Sequence, residues 1–251
     1  MQSVLSALAA QHATLAGLLG SLDEVDWHRP TRCEGWDVAD VVLHLAQTDE
    51  LALASAQGRF ADGLRLLAGG LEGQGNVDDG AGAMVTRERG LADADLLDRW
   101  SRDASALRET LTASDPHERV DWVAGQLSIR TLATTRLSES WIHTGDVAEA
   151  IGVEQEPTDD LEHIARLAWR TLPYAFARDG RQLAGPVAFR LRGPNGAPWD
   201  FEPDGAPATV VEGDGVELCL VAARRVSPGE TGLRADGPDA GAVLDLVRTY
   251  A

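Results

Sequence analysis

The sequence predicts an α+β protein, with a four-helix bundle over residues 1–152 followed by a small α+β domain over 153–251. Three observations carry that prediction. Apolar residues recur at helical spacing in four long segments before residue 152. A proline-containing acidic stretch, "VEQEPTDD", then breaks the pattern. Beyond Gly180 the spacing shifts to the period of two that belongs to strands.

The elements follow in order. Leu5, Leu8, Leu15, Leu19 and Leu22 line one face of a first helix that runs through about Leu22. Its residues carry no formal charge, but Gln2, Ser3, Ser6, Gln11, His12 and Thr14 interrupt it and no basic stretch precedes it. A soluble bundle helix is therefore expected rather than a signal peptide or membrane span. A second helix follows "CEGW" and runs through "VADVVLHLAQTDELALASA", with Asp37 as N-cap and Trp36 stapling against Val41. Residues 68–82, "AGGLEGQGNVDDGAG", hold six glycines and are expected to form a loop; they lack the Gly-Lys-Ser/Thr ending of a phosphate loop. A third helix spans roughly Asp93 to Thr112 and a fourth runs from Ser128 to about Ile151. Four such helices with a long glycine-rich crossover indicate a bundle. Thr158 is expected to cap a fifth helix, "DLEHIARLAWRTLPYAFARDG". Alternating runs around Pro194-Asn195-Gly196 predict a hairpin. "ATVVEGDG" and "TGLRADG" are read as further strands, and "VELCLVAARR" and "DAGAVLDLVRTY" as helices.

Composition narrows the partners. The net charge of −18 over 251 residues repels nucleic acid and anionic lipid, so neither is expected as a partner. All 22 basic residues are arginine, which excludes Schiff-base chemistry on lysine. Cys33 and Cys219 are too few and too far apart for a disulfide framework, which points to a reducing cytoplasm.

The chemistry lies in the fourth helix, "RLSESWIHTGDVAEAIG". At about 100° per residue, Leu132, Arg136, Glu139, His143, Asp146 and Ala150 share one stripe, expected to face inward. Thr131, Thr134, Ser138, Gly145 and Glu149 form the opposite, solvent-facing arc. Burying those ionisable groups costs several kcal/mol each unless they are paired or ligate a metal. A glutamate and a histidine four residues apart can grip one ion. Zinc takes imidazole nitrogen and carboxylate oxygen at about 2.0–2.2 Å, with three protein ligands in catalytic sites. His44, flanked on its own face by Val41, Leu45, Thr48 and Leu51, is the candidate third ligand beside Glu139 and His143. Asp146 is read as hydrogen-bonding within the bundle or orienting a ligand. Arg136 is read as a buried charge partner or an anchor for a substrate anion. His12 also sits on an inward stripe, whereas His28, His117 and His163 are read as surface or packing residues. Cys33 would lie roughly 16 Å from His44 if the intervening stretch were helical, so it is not expected to be a nucleophile.

These residues also carry a resemblance. "GWDVADVVLHLAQTDE" and "RLSESWIHTGDVAEAIG" resemble the two signature helices of the DinB-like superfamily, above all its mycothiol-dependent maleylpyruvate isomerase branch. "LEHIARLAWRTLPYAFARDG" resembles an actinobacterial subgroup of it. The resemblance implies an N-terminal DinB-like bundle with a metal, usually zinc, held by His44, Glu139 and His143, and mycothiol as co-substrate. Glu139, where many members have a third histidine, favours the isomerase-like branch. The family also relies on an arginine in its C-terminal domain; "LCLVAARR" resembles that segment and leaves Arg224 and Arg225 as alternatives. The implied activity is isomerase or S-transferase chemistry, in which a low-molecular-weight thiol attacks a small electrophilic substrate, anionic or neutral. The alternatives are a thiol-independent metal enzyme of secondary metabolism and a non-catalytic metal-binding protein. The expected assembly is a monomer or homodimer.

Overall fold

The computed structural model describes residues 1–69 and 77–249. The chain divides into two compact units, Met1–Gln155 and Glu156–Tyr250.

The first unit holds α1 (Gln2–Leu19), the short α2 (Glu24–Trp27), α3 (Val38–Ala56), α4 (Phe60–Ala68), α5 (Val77–Glu88), α6 (Asp93–Ala113), a two-residue hairpin of β1 (Arg119–Val120) and β2 (Leu127–Ser128), and α7 (Ile129–Ala150). Helices α1, α6, α3 and α7 form a ring in which each packs on the next, so α1 faces α3 and α6 faces α7 across the interior. Leu15, Leu19, Val38, Val41, Leu45, Leu96, Trp100 and Val147 fill one part of that interior. Helix α3 starts where the sequence predicts: Asp40 N–H donates to Asp37 Oδ1 at 2.9 Å and Asp37 N–H donates to Asp40 Oδ2 at 3.3 Å, a reciprocal cap.

Several expectations need correction. The first helix ends at Leu19, with Gly20 as its cap, rather than at Leu22. The stretch expected as a loop over 68–82 contains the start of α5; residues 70–76 of it lie outside the described residues. Packing overrides the glycine content there. Val85 is fully buried, Met84 nearly so, and Gln47 Nε2 donates to the Met84 carbonyl at 3.0 Å. Gly69 ends α4 at φ 60°, and the Arg87 guanidinium occupies the space a Cβ would need while donating to the Leu66 and Leu67 carbonyls, both at 2.8 Å. The arc of α7 expected to meet solvent is buried at Thr134 and Ser138, and only Glu149 is exposed. Thr134 tolerates this because its hydroxyl donates back to the Arg130 carbonyl at 2.9 Å.

One ionic network lies inside the ring. Arg136, with 0% exposure, donates from Nε to Asp49 Oδ1 at 2.9 Å and from Nη2 to Thr48 Oγ1 at 2.8 Å. His12 Nδ1 receives Arg108 Nη1 at 2.6 Å, which leaves its Nε2–H to donate to Ser140 Oγ at 3.1 Å. Burial, helped by the Arg108 and Arg136 charges against that of Asp49, pushes the His12 pKa down to about 4, so the ring is neutral near pH 7.

The second unit begins with a 3-10 turn over Asp159–Leu161 and α8 (Glu162–Arg178). Thr158 stands at the N-cap of the turn but makes no side-chain capping bond, contrary to expectation. Strands β3 (Val187–Arg192), β4 (Pro198–Phe201), β5 (Thr209–Asp214) and β6 (Arg234–Asp236) form one sheet in the order β4-β3-β5-β6. The β3–β4 pair is the expected antiparallel hairpin, β5 runs parallel to β3, and β6 is antiparallel to β5. Helix α8 packs on β3 and β4, and on α9 (Gly215–Ala222) and α10 (Ala240–Leu246). No helix among the described residues is long and apolar enough to cross a membrane.

Candidate metal centre

The two facing stripes expected from helical spacing meet. His44 on α3 and Glu139 and His143 on α7 are all buried. His44 Nε2 lies 3.5 Å from Glu139 Oε2, and His143 Nε2 lies 3.6 Å from the same oxygen. The two imidazole centroids are 4.9 Å apart. Metal–ligand bonds of about 2.0–2.2 Å at tetrahedral angles give ligand–ligand edges of roughly 3.3–3.6 Å. The observed separations match those edges, and the donor set of two imidazoles and one carboxylate suits zinc and similar divalent ions. The three residues fit a metal.

The charge states agree with this. Burial opposes a charged Glu139, yet hydrogen bonds to His143 and His44, with the Arg136 field, hold its carboxyl well below the usual range. Burial lowers the His44 pKa and outweighs its hydrogen bond to Glu139. For His143 burial is outweighed by hydrogen bonds to Asp146, Cys33 and Glu139, which raise its pKa well above the ordinary value. Metal-free, the site therefore holds a carboxylate beside an imidazolium. A dication would take the place of the proton on His143 Nε2.

The two candidate histidine ligands are supported unequally. His143 Nδ1 lies 2.9 Å from Asp146 Oδ2, which makes Asp146 its orienting partner. His44 Nδ1 has no hydrogen-bond partner among the described residues; its ring is held by Trp36, 5.2 Å away between centroids. Arg136 sits one turn before Glu139, but with both contacts inside the bundle and no exposure it is a charge partner, and the reading as a substrate anchor is set aside. His12 is engaged with Ser140 and Arg108 and is not among the ligand groups.

Cys33 is where sequence reasoning failed. Its Sγ lies 3.3 Å from Asp146 Oδ2, and Cys33, His143 and Asp146 form a second close group. The chain between Cys33 and α3 is a turn and not a helix: Trp36 N–H donates to the Cys33 carbonyl at 3.0 Å, and Gly35 at φ 77° supplies the left-handed residue. Nearby, a cavity of ≈ 590 Å³ is lined by His28, Thr31, Trp36, Asp40 and Arg89 among others. Its charged groups are already paired, His28 with Asp37 and Arg89 with Asp40. Arg224 and Arg225 both follow α9 in the second unit. Arg224 is exposed at φ 61°, and Arg225, half-buried, donates from Nη1 to the Ala223 carbonyl at 3.0 Å.

A four-helix bundle with two histidines and a glutamate clustered in its interior defines the class: a DinB-like fold carrying a C-terminal α+β unit. Residues 8–148, which include all three candidate ligands, match the mycothiol maleylpyruvate isomerase N-terminal domain, and the chain belongs to that family. Among curated proteins it is 32% identical over 245 residues to two from Mycobacterium tuberculosis, "Uncharacterized protein Rv0036c" (strain ATCC 25618 / H37Rv) and "Uncharacterized protein MT0041" (strain CDC 1551 / Oshkosh). The match covers 97% of this chain and 93% of each of theirs. Among solved structures it shares its fold with the mycothiol-dependent maleylpyruvate isomerase, at a TM-score of 0.61 and 18% identity over 95% of both chains. A histidine-to-alanine mutant of that enzyme superposes at 0.62, with 16% identity over 95% of both chains.

Proposed function

We propose that the protein is a metal-dependent, thiol-using enzyme of the isomerase or S-transferase type, acting in the cytoplasm on a small electrophilic substrate. The observation that carries this reading is the match of the His44–Glu139–His143 separations to metal-ligand edges, within a family named for a mycothiol-dependent isomerase. A divalent metal such as zinc, held by those three side chains, would leave an open position and favour the thiolate form of a bound low-molecular-weight thiol such as mycothiol.

The chain's own residues set the conditions. Glu139 contributes a single negative charge, so a centre with two neutral imidazoles keeps net positive charge toward an incoming anion, against the −18 of the whole chain. Asp146 fixes the tautomer and orientation of His143 by accepting Nδ1–H. Arg136, neutralised by Asp49, supports the Glu139 carboxylate from inside the bundle. Arg224 or Arg225 supplies the arginine that the family resemblance places in the C-terminal domain. For isomerisation, the thiolate adds to a conjugated carbon–carbon double bond, the resulting single bond rotates, and elimination returns the same thiol, so no atom is gained or lost. For transfer, the adduct is protonated and released.

The test is metal analysis of the purified protein together with turnover of maleylpyruvate, as trial substrate, with mycothiol and in rigorously thiol-free buffer. One metal per chain and turnover only with thiol are expected. Turnover without thiol would select the thiol-independent metal enzyme. Metal binding with no turnover on any electrophile of this class would select the non-catalytic alternative.

A further inference from the structure

Two groups of ligand-type side chains share His143, and their geometry separates them. The His44–Glu139–His143 edges of 3.5 and 3.6 Å leave room for an ion between the donors. In the Cys33–His143–Asp146 group the imidazole–carboxylate separation is 2.9 Å, a direct hydrogen bond too short to span an ion. The thiol lies 3.3 Å from the same carboxylate oxygen, at S–H···O distance. The second group is therefore a hydrogen-bonded cluster on His143, in which the thiol meets the Asp146 carboxylate as well as the imidazole.

The thiol is brought there by a braced turn. Thr31 N–H donates to the Trp36 carbonyl and Trp36 N–H to the Cys33 carbonyl, each at 3.0 Å; Cys33 N–H donates to Thr31 Oγ1 at 3.2 Å. From outside the turn, Arg89 donates from Nη2 to the Gly35 carbonyl at 2.8 Å and from Nε to Asp40 Oδ1 at 2.7 Å. The two ends of this turn reach the two histidine ligands, Trp36 through ring contact with His44 and Cys33 through Asp146 to His143.

We propose that Cys33 is a positioning residue for the metal centre: its S–H donates to Asp146 Oδ2 and holds that carboxylate where it accepts His143 Nδ1–H, leaving Nε2 for the metal. The proposal rests on the metal-centre reading above. Asp146 has a carboxylate with more than one acceptor site, and two donors on the same Oδ2, His143 Nδ1 and Cys33 Sγ, restrict its orientation more than either alone. A serine retains the donor and an alanine removes it, while neither changes charge.

The experiment measures zinc affinity by competition with a chromophoric chelator in the full-length wild type, Cys33→Ala, Cys33→Ser, Asp146→Asn and the Cys33→Ala/Asp146→Asn pair. Cys33→Ala is expected to weaken zinc binding about tenfold, the low end for an outer partner of a ligand. Cys33→Ser is expected to retain wild-type affinity, and Cys33→Ala to add nothing once Asp146 is asparagine. In the metal-free protein, the ring ¹⁵N shifts of His143 are expected to move in Cys33→Ala and return in Cys33→Ser. Wild-type affinity in Cys33→Ala, equal losses in the alanine and serine variants, or a loss that persists beside Asp146→Asn would overturn the proposal. So would a sulfur-to-metal charge-transfer band in the cobalt-loaded wild type, which would make Cys33 a ligand. If the wild type takes up no zinc, the metal-centre reading falls, and the ¹⁵N shifts alone decide whether Cys33 positions His143.

Discussion

Replacing Asp49 by alanine should be among the most damaging single changes in the first unit, although Asp49 touches neither ligand nor surface. Its Oδ1 accepts from Arg136 Nε at 2.9 Å, with both side chains at 0% exposure. With charge centres about 4 Å apart, the attraction at an effective dielectric near 20 is roughly 4 kcal/mol. Desolvating the two ions costs several kcal/mol each, so the intact pair comes close to breaking even. Removing one partner leaves the desolvation cost of the other uncompensated, about 3–5 kcal/mol. Thr48 Oγ1 still accepts from Arg136 Nη2, but Nη1 already has no partner among the described residues and a hydroxyl cannot balance a full charge. At a urea slope near 2 kcal/mol/M, the midpoint should fall by roughly 2 M. The assay is urea unfolding of metal-free protein followed by tryptophan fluorescence. Asp49→Leu with Arg136→Met should recover most of the loss, since apolar side chains need no counter-charge. A second readout ties the pair to the site: the lone Arg136 charge in Asp49→Ala should weaken zinc binding by repulsion, and the double variant should restore it. A loss under about 1 kcal/mol, or a double variant no more stable than the single, would refute the reasoning.

Further predictions test other parts of the molecule. His143→Ala should abolish stoichiometric metal while leaving helical circular dichroism intact, because the bundle has a core of its own; full occupancy in that variant would show the ligand assignment to be wrong. Since Asp146, Cys33 and Glu139 hold His143 protonated against burial, metal must displace that proton, and zinc affinity should fall as pH falls; a pH-independent affinity in chelator competition counts against His143 as ligand. His12, depressed from 6.5 to about 4, favours the folded state above its unfolded pKa, and that contribution is lost as pH falls from about 6.5 to 4. The 2.5-unit window corresponds to about 3 kcal/mol, so His12→Gln should flatten the acid limb of stability against pH by up to one proton; identical limbs would reject it. Arg224 occupies the left-handed position after α9, where Arg225 N–H donates to the Leu220 carbonyl at 2.9 Å and Arg224 N–H to the Val221 carbonyl at 3.0 Å. Arg224→Gly should therefore stabilise the second unit by about 1 kcal/mol; if it also removes activity, Arg224 is the functional arginine, and if only Arg225→Met does so, the role passes to Arg225.

What the sequence made legible depends on which physical rule holds the residue in place. His44, Glu139 and His143 came out of the helical period because helices fix the direction of every side chain they carry. The burial of Thr134 on α7 was hidden because a hydroxyl that donates to its own helix counts as polar in a pattern but not in the core. Helix α5 was hidden because glycine content argued for a loop, while Val85 and the bond from Gln47 to the Met84 carbonyl outweigh that preference. Cys33 departs furthest from the helical estimate, and the sequence itself carries the reason. An N-cap at Asp37 means that the helix begins at Val38, so no helical rise applies between Cys33 and the cap. The Gly35 that follows two residues later is the residue type a tight reversal needs, and its φ of 77° shows that it is used as one. A reversal just before a cap turns the chain back over the first turns of its own helix. Trp36 and Cys33, on that reversal, then meet His44 by ring contact and His143 by way of Asp146, at distances set by the turn and not by the count of residues between.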